Sequence, residues 1–234
     1  MIHKIDFLCL GQTVPEKSKK YGFRVCTAGI DLKSNSLVRI YPLAVDKHKH
    51  FKRWNVYQGL KVVRNKKDNR KESWKLGFEI DKLKDFPSRV YKVANRPSLI
   101  QNFKTQESIP DLNKRRASLA IIDLQNPQGY FADRKKNAVN TNQISLFQQK
   151  EQLSYLIKDD FEHTPRVKFR SVKNTKHDLM LTSWSVFMHQ INLAPKYGKN
   201  NLWKCLKMNQ NVKTALIGNI NTHRNSWLII SILS

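Results

Sequence analysis

The sequence predicts a mixed α+β protein. An N-terminal region of mostly antiparallel strands, forming a small SH3-like or OB-like barrel, is followed by a C-terminal α/β-mixed region with two helices and a terminal β-hairpin. Three observations predict this. Apolar runs are short, about four to eight residues, and are punctuated by Pro, Gly and Asn, as strands are. Helical spacing of apolar residues is clearest late in the chain, at Trp184, Phe187, Met188 and Ile191. The 234 residues are 40% hydrophobic and carry five Trp, seven Tyr and eleven Phe, which is enough to bury a core.

Ile5 to Leu10 reads as a first strand, since Asp6 interrupts its apolar run and no small-residue cleavage site follows. Thr13 to Gly22 is a lysine-rich loop containing Pro15. Phe23 to Ile30 and Leu37 to Tyr41 form a hairpin across the turn Asp31 to Ser36, ending at Pro42. Val56 to Val63 and Trp74 to Ile80 form another strand pair, and the basic run at 64–71 joins them as a loop tip. Ser98 to Phe103 and Pro110 to Arg116 are short helices. Leu119 to Leu124 is a compact apolar strand closed by Asn126-Pro127-Gln128-Gly129. Ile144 to Ile157 is helical, and Arg166 to Val172 alternates cation with apolar residue as a half-exposed strand does. Thr182 or Ser183 caps the helix that carries the stripe from Trp184. Asn200 to Asn211 is a second helix, and Thr214 to Gly218 pairs with Trp227 to Leu233. The domain division expected is 1–133 as a basic β-rich domain, 134–143 as a linker or mobile loop, and 144–234 as a mixed α+β basic region.

Charge sets the functional expectation. Forty-three Lys and Arg against eighteen Asp and Glu leave a formal net charge of +25. Solubility needs far less, so the excess points to a polyanionic partner, and nucleic acid is the commonest. The alternatives are an acidic protein partner and an anionic membrane surface, and the latter lacks a clear basic amphipathic helix; no apolar run approaches the roughly 20 residues that span a bilayer. Three widely spaced cysteines, Cys9, Cys26 and Cys205, fit a reducing cytoplasm rather than a disulfide framework.

Cations cluster with aromatics in Lys47-His48-Lys49-His50-Phe51-Lys52-Arg53-Trp54 and again in Arg64-Asn65-Lys66-Lys67-Asp68-Asn69-Arg70-Lys71. The residues expected to bind nucleic acid are Lys47, Lys49, Lys52, Arg53, Trp54, Arg64, Lys66, Lys67, Arg70 and Lys71 from these runs. To them are added Arg166, Lys168 and Arg170 from one strand face, and Arg224 from the loop before Trp227. Phe51, Trp54, Trp74, Trp203 and Trp227 are the rings available to stack on bases, although Trp184 and Trp227 suit a core better.

The segments Lys20 to Ile30, Val38-Arg39-Ile40-Tyr41-Pro42, Arg70 to Trp74, and Gly218-Asn219 with His223 to Ile230 resemble a family of uncharacterised prokaryotic proteins. That resemblance implies no established activity and supplies no catalytic residue. Its members carry a Cys/Cys/His cluster where this chain has Phe169-Arg170-Ser171 and His177, which puts a metal site there in doubt.

Catalysis has thin support. Phosphate-binding GxxxxGK[ST], GxGxxG, CxxC and GxSxG motifs are all missing. His48 and His50 have the spacing of a strand metal pair but lie among lysines and lack a third ligand, so no metal site is expected. The expectation is therefore a non-enzymatic nucleic-acid-binding protein, with DNA slightly ahead of RNA, of a kind that would serve a mobile-element or defence nucleoprotein complex with protein partners. The alternative is a metal-dependent nuclease, the one case that needs a cofactor, Mg²⁺ or Mn²⁺. Its metal-holding residues would be Asp123, with Glu79 and Asp81 to pair with it, or the carboxylates Asp6 and Asp31 with Lys33.

Overall fold

The computed structural model describes residues 1–18, 22–44, 49–78, 86–133 and 163–233. Twelve strands and five helices are defined among them. Strands β1 (Ile2–Gln12), β2 (Glu16–Ser18), β3 (Gly22–Asp31), β4 (Ser36–Ala44), β5 (Asn55–Arg64), β6 (Ser73–Leu76) and β7 (Val90–Lys92) come first. Helices α1 (Arg96–Phe103) and α2 (Ile109–Lys114) lead to β8 (Leu119–Asp133), β9 (His163–Arg170) and β10 (Lys176–Leu181). Helices α3 (Trp184–Asn192), α4 (Ala194–Tyr197) and α5 (Asn201–Cys205) precede β11 (Val212–Asn219) and β12 (Trp227–Ile232).

These strands close two five-stranded barrels. In the first, β1-β3-β4-β6-β5 runs round to a β1–β5 ladder, with β2 and β7 added at the margins. In the second, β8, β9, β10, β12 and β11 close on themselves. With each barrel's strands numbered in chain order, both follow 1-2-3-5-4. All neighbours are antiparallel except the third and fifth, β4 with β6 and β10 with β12, which are parallel. This is the Greek-key arrangement of an OB-type barrel; an SH3-like barrel has no such parallel pair. The protein is mixed α+β as expected, and the N-terminal barrel takes the OB-like of the two forms considered.

The C-terminal region is itself a barrel rather than helices beside a hairpin. Its helices α3, α4 and α5 occupy the connection between the barrel's third and fourth strands. Strand β8 pairs with β9 and β11, so residues 119–133 belong to the second barrel and not to a first unit ending at 133. The expected linker at 134–143 and helix at 144–157 lie outside the described residues. Strand β4 also runs on through Pro42, which the register places at a bulge opposite Cys26.

Alternation along the strands fills three cores. Ile5, Phe7 and Cys9 of β1 point into the first barrel with Val38, Ile40, Tyr57 and Leu60. Ala120, Ile122 and Leu124 of β8 point into the second with Val167, Phe169, Ile217 and Ile229. The intervening residues meet between the barrels: Leu8, Leu10, Ile30 and Val56 from one, Leu119, Ile121, Leu216 and Ile230 from the other. Phe7 to Leu10 of β1 and Leu119 to Ile122 of β8 are buried on both faces, so each of these stretches reads as a continuous apolar run. Each fully buried Leu or Ile in the seam contributes about 1.5–3 kcal/mol, so the barrels share a core and do not hinge freely. At Gly29 an added Cβ would lie 1.9 Å from the Leu8 carbonyl oxygen, so only glycine permits this close approach of β3 to β1.

The short helices are set by their caps. The Asn95 side chain accepts from the Ser98 amide at α1, and Ser108 forms a capping box with Asp111 at α2. Among the described residues no helix is long and apolar enough to cross a membrane.

Candidate nucleic-acid interface

The loop between each barrel's fourth and fifth strands, 65–72 in the first and 220–226 in the second, meets its counterpart at the seam. Buried Arg70 and Arg39 both donate to the Asn219 carbonyl, at 2.7 and 3.2 Å. Arg39 also donates to the carbonyl of Ser118, whose backbone N–H and hydroxyl donate to Glu72 at 3.1 and 2.7 Å. Asp68 accepts from Arg70 Nε at 2.8 Å and from the Ser73 hydroxyl at 2.7 Å. Burial pushes the Asp68 carboxyl up, but the hydrogen bonds from Arg70 and Ser73, with the charge of Arg70, hold it below the usual carboxylate range. Burial lowers Arg39 to about 10, and neighbouring Arg70 adds to that.

A cleft of about 300 Å³ opens over the second and third strands of the first barrel. Arg24, Cys26, Arg39 and Tyr41 form its floor, Thr13 and Glu16 one rim, and Asn219 to Thr222 the other. In OB-type barrels this strand face, with the loops flanking it, is the one that receives oligonucleotides. The same face of the second barrel is the outer side of β9 and β10. Arg166, Lys168 and Arg170 lie on it in a row, while Val167 and Phe169 are buried behind them, as the alternation predicts. Lys176 stands opposite Arg170 across the ladder. Lys168 Nζ sits 4.8 Å from the Tyr130 ring centre, and Asp178 is taken up by Arg166 at 3.0 Å and the Tyr130 hydroxyl at 2.5 Å.

The two basic runs divide between structure and surface. In the first, Lys49 and Lys52 are exposed, whereas Arg53 donates to the Ile232 carbonyl and lies 5.1 Å from the Trp54 ring. Trp54 is 7% exposed and belongs to the seam core, so it is no stacking platform. In the second, Arg64 donates to the carbonyls of Lys71, Arg70 and Ser73 and ties the loop together. Lys66, Lys67 and Lys71 are exposed and Arg70 is buried. Lys47 and His48 lie outside the described residues. His50 packs on Phe86. Arg170 donates to Asn174 at 2.8 Å, and Arg224 donates to Asn69. Phe51 and Trp227 are buried, Trp74 packs on His3, and Trp203 lies against Phe131 and Gly129. Among the described residues the exposed tyrosines are Tyr91 and Tyr197, and Tyr130 is half-buried. Nothing in the sequence separated these tyrosines from core ones.

The carboxylates proposed for a metal are engaged by protein donors. Asp31 accepts from the amides of Asp6 and Lys33 and from the Ser34 hydroxyl, shaping the β3–β4 turn. Asp6 accepts from the Gly59 amide at 2.8 Å and pairs with Lys33 at 3.4 Å. The structure thus brings Asp6, Asp31 and Lys33 together, with the two acids occupied by backbone N–H groups. Asp123 is held elsewhere by Lys104 at 2.8 Å and Thr214 at 2.9 Å. Glu79 and Asp81 lie outside the described residues. Among the described residues no group of three or more His, Cys, Asp or Glu converges.

Residues 3–102 match the model of a family described as a domain of unknown function (DUF8758). The match covers the first barrel and ends inside α1. Three of the four segments that carried the resemblance to an uncharacterised family lie within it. No curated protein and no solved structure matches the chain.

Proposed function

We propose that this protein binds single-stranded nucleic acid by its phosphate backbone, along the outer face of β9 and β10 and across the seam between the barrels. The observation that carries the reading is the row Arg166, Lys168 and Arg170 on the second strand of an OB-type barrel, flanked by Lys176 and Tyr130. Charge bookkeeping supports it. The acids Asp6, Asp31, Asp68, Glu72, Glu107, Asp111, Asp123, Asp133 and Asp178 each engage a donor or cation of the protein itself. Among the described residues these acids are thus already matched within the protein, and exposed cations such as Lys49, Lys52, Lys66, Lys71 and Lys168 remain on its surface. Backbone contact outweighs stacking, because four of the five rings expected to stack are buried or packed against the β-barrels and the fifth, Trp74, is edge-on to His3.

The test is fluorescence anisotropy with labelled 20-nucleotide single strands of DNA and RNA and the matching duplexes. Affinity should fall steeply with salt, log K against log[salt] having a slope of about −0.7 per phosphate contacted on single strands. Replacing Arg166, Lys168 and Arg170 together by Gln should flatten that slope by about two units. Absence of binding at low salt, or binding indifferent to salt, refutes the reading.

A further inference from the structure

Beside the network at the seam, a second cleft of about 370 Å³ is lined by Asn69, Asn113, Arg116, Asn219, Arg224 and Asn225, with Ala117. Its donor and acceptor pattern can be worked out group by group. The Trp227 indole donates to Asn113 Oδ1 at 2.7 Å, and Arg224 donates to Asn69 Oδ1. Indole and guanidinium nitrogens are donors only, so both amide orientations are fixed with oxygen toward them. Asn113 and Asn69 keep both N–H donors of the NH₂ to offer, beside one lone pair of the engaged oxygen. With the guanidinium groups of Arg116 and Arg224, the lining is rich in donors and contains no carboxylate. Asp68, Glu72 and Asp111, on the adjoining segments, are bound to Arg70, Ser118 and Lys173.

A second observation points to an occupant. Asn219 lines this cleft and the one over β3 and β4, is 5% exposed, and spends its NH₂ on the Ala117 carbonyl at 3.0 Å. Its Oδ1 is buried with no hydrogen-bond partner in the protein. A buried acceptor left unpaired is costly. A nucleotide meets both demands: phosphate oxygens for the guanidinium and amide donors, and a sugar hydroxyl or exocyclic amine for the lone acceptor.

We infer that this cleft holds one nucleotide unit of the bound strand, with its phosphate between Arg116 and Arg224. The inference rests on the reading of the protein as a single-strand binder and names a site within it. Arg116 and Arg224 would each take phosphate oxygens through a planar fork, which lysine cannot reproduce.

The test compares Arg116→Gln, Arg224→Gln and Arg224→Lys with the native protein by anisotropy on the same single strands across a salt series. Far-UV circular dichroism and thermal melting verify folding; exposed Arg116 keeps the test usable if an Arg224 variant does not fold. Each Gln variant should weaken binding about tenfold, and the two together should reduce the salt slope by about 0.7, the share of one phosphate. Arg224→Lys should keep the slope and lose part of the affinity. Competition is run with a mononucleotide and with inorganic phosphate, and the mononucleotide should displace the strand at lower concentration. Equal competition by inorganic phosphate would make the cleft a simple anion site and overturn the inference. So would Gln variants that bind with native affinity and slope. Failure of the native protein to bind any strand would instead remove the functional reading beneath it.

Discussion

Replacing Asp68 by Ala tests whether the buried network at the seam holds the two barrels together. Asp68 and Arg70 are each 5% exposed. The carboxylate accepts from Arg70 Nε at 2.8 Å, from the Arg70 amide at 3.1 Å and from the buried Ser73 hydroxyl at 2.7 Å. Removing it strands a guanidinium that keeps only the Asn219 carbonyl and has Arg39 for a neighbour. Breaking a buried pair from one side costs about 3–5 kcal/mol, a large part of the roughly 5–15 kcal/mol that a native domain has in total. Urea unfolding at pH 7, followed by tryptophan fluorescence, should register that loss. The double variant Asp68→Ala/Arg70→Met leaves no charge unpaired, and should recover more than half of it. A loss below about 1 kcal/mol for Asp68→Ala, or a double variant no better than the single, refutes the reasoning. Depressed in the folded state, Asp68 adds stability above its unfolded pKa, near 3.8. That increment disappears as pH falls through the folded value, so the native and Asp68→Ala curves should converge in acid.

Two further expectations are independent of binding. Lys173, with the Ser108 hydroxyl, holds Asp111 down to about 2. Its stabilising effect should be full above about pH 4 and fade between there and pH 2, and Asp111→Asn should flatten the stability profile in that window, as read by urea midpoints at successive pH values. At Gly129 an added Cβ would lie 2.1 Å from the Trp203 ring. Gly129→Ala should therefore displace that ring, cost about 1–3 kcal/mol through overpacking, and shift the tryptophan emission. An unchanged spectrum and midpoint would show that the ring does not rest there in solution.

The first barrel was legible because its strands are short, apolar and close in sequence, with turn chemistry such as Asp31 to Ser36 between them. The second was hidden by its connections. Residues 134–162 separate its first two strands, and three helices separate its third and fourth, so pairings such as Ile121 with Leu216 join residues remote in sequence. The parallel ladder that completes it, Met180 with Leu228 and Leu181 with Ile229, is two pairs long. A local reading saw β11 and β12 only as a hairpin, which they also form. The stripe from Trp184 was seen, but Val186 and His189 are more buried than Trp184 itself, because barrel and helix together choose the buried face. Of the donor-rich cleft only Arg224 was legible, because Asn69, Asn113, Arg116 and Arg224 come from three separate segments.

The same structure limits how the charge excess is to be read. Two arginines from the basic runs turn inward while their lysine neighbours stay out, Arg53 to the Ile232 carbonyl and Arg70 to Asp68 and Asn219, and Arg64, though exposed, is taken up by carbonyls of its own loop. The division follows from chemistry. A guanidinium has five donors in a fixed plane and is weakly hydrated, so it can satisfy several carbonyls at once when desolvated, whereas an ammonium resists leaving water. Part of the cationic composition therefore builds the seam between the barrels and is not available to a partner. What remains for a strand is the exposed lysines, the β9 row and the arginines of the clefts. The salt slope should accordingly count far fewer phosphates than the formal charge of +25 suggests. A slope that tracked the whole excess would mean that the inward arginines are not where the barrels place them.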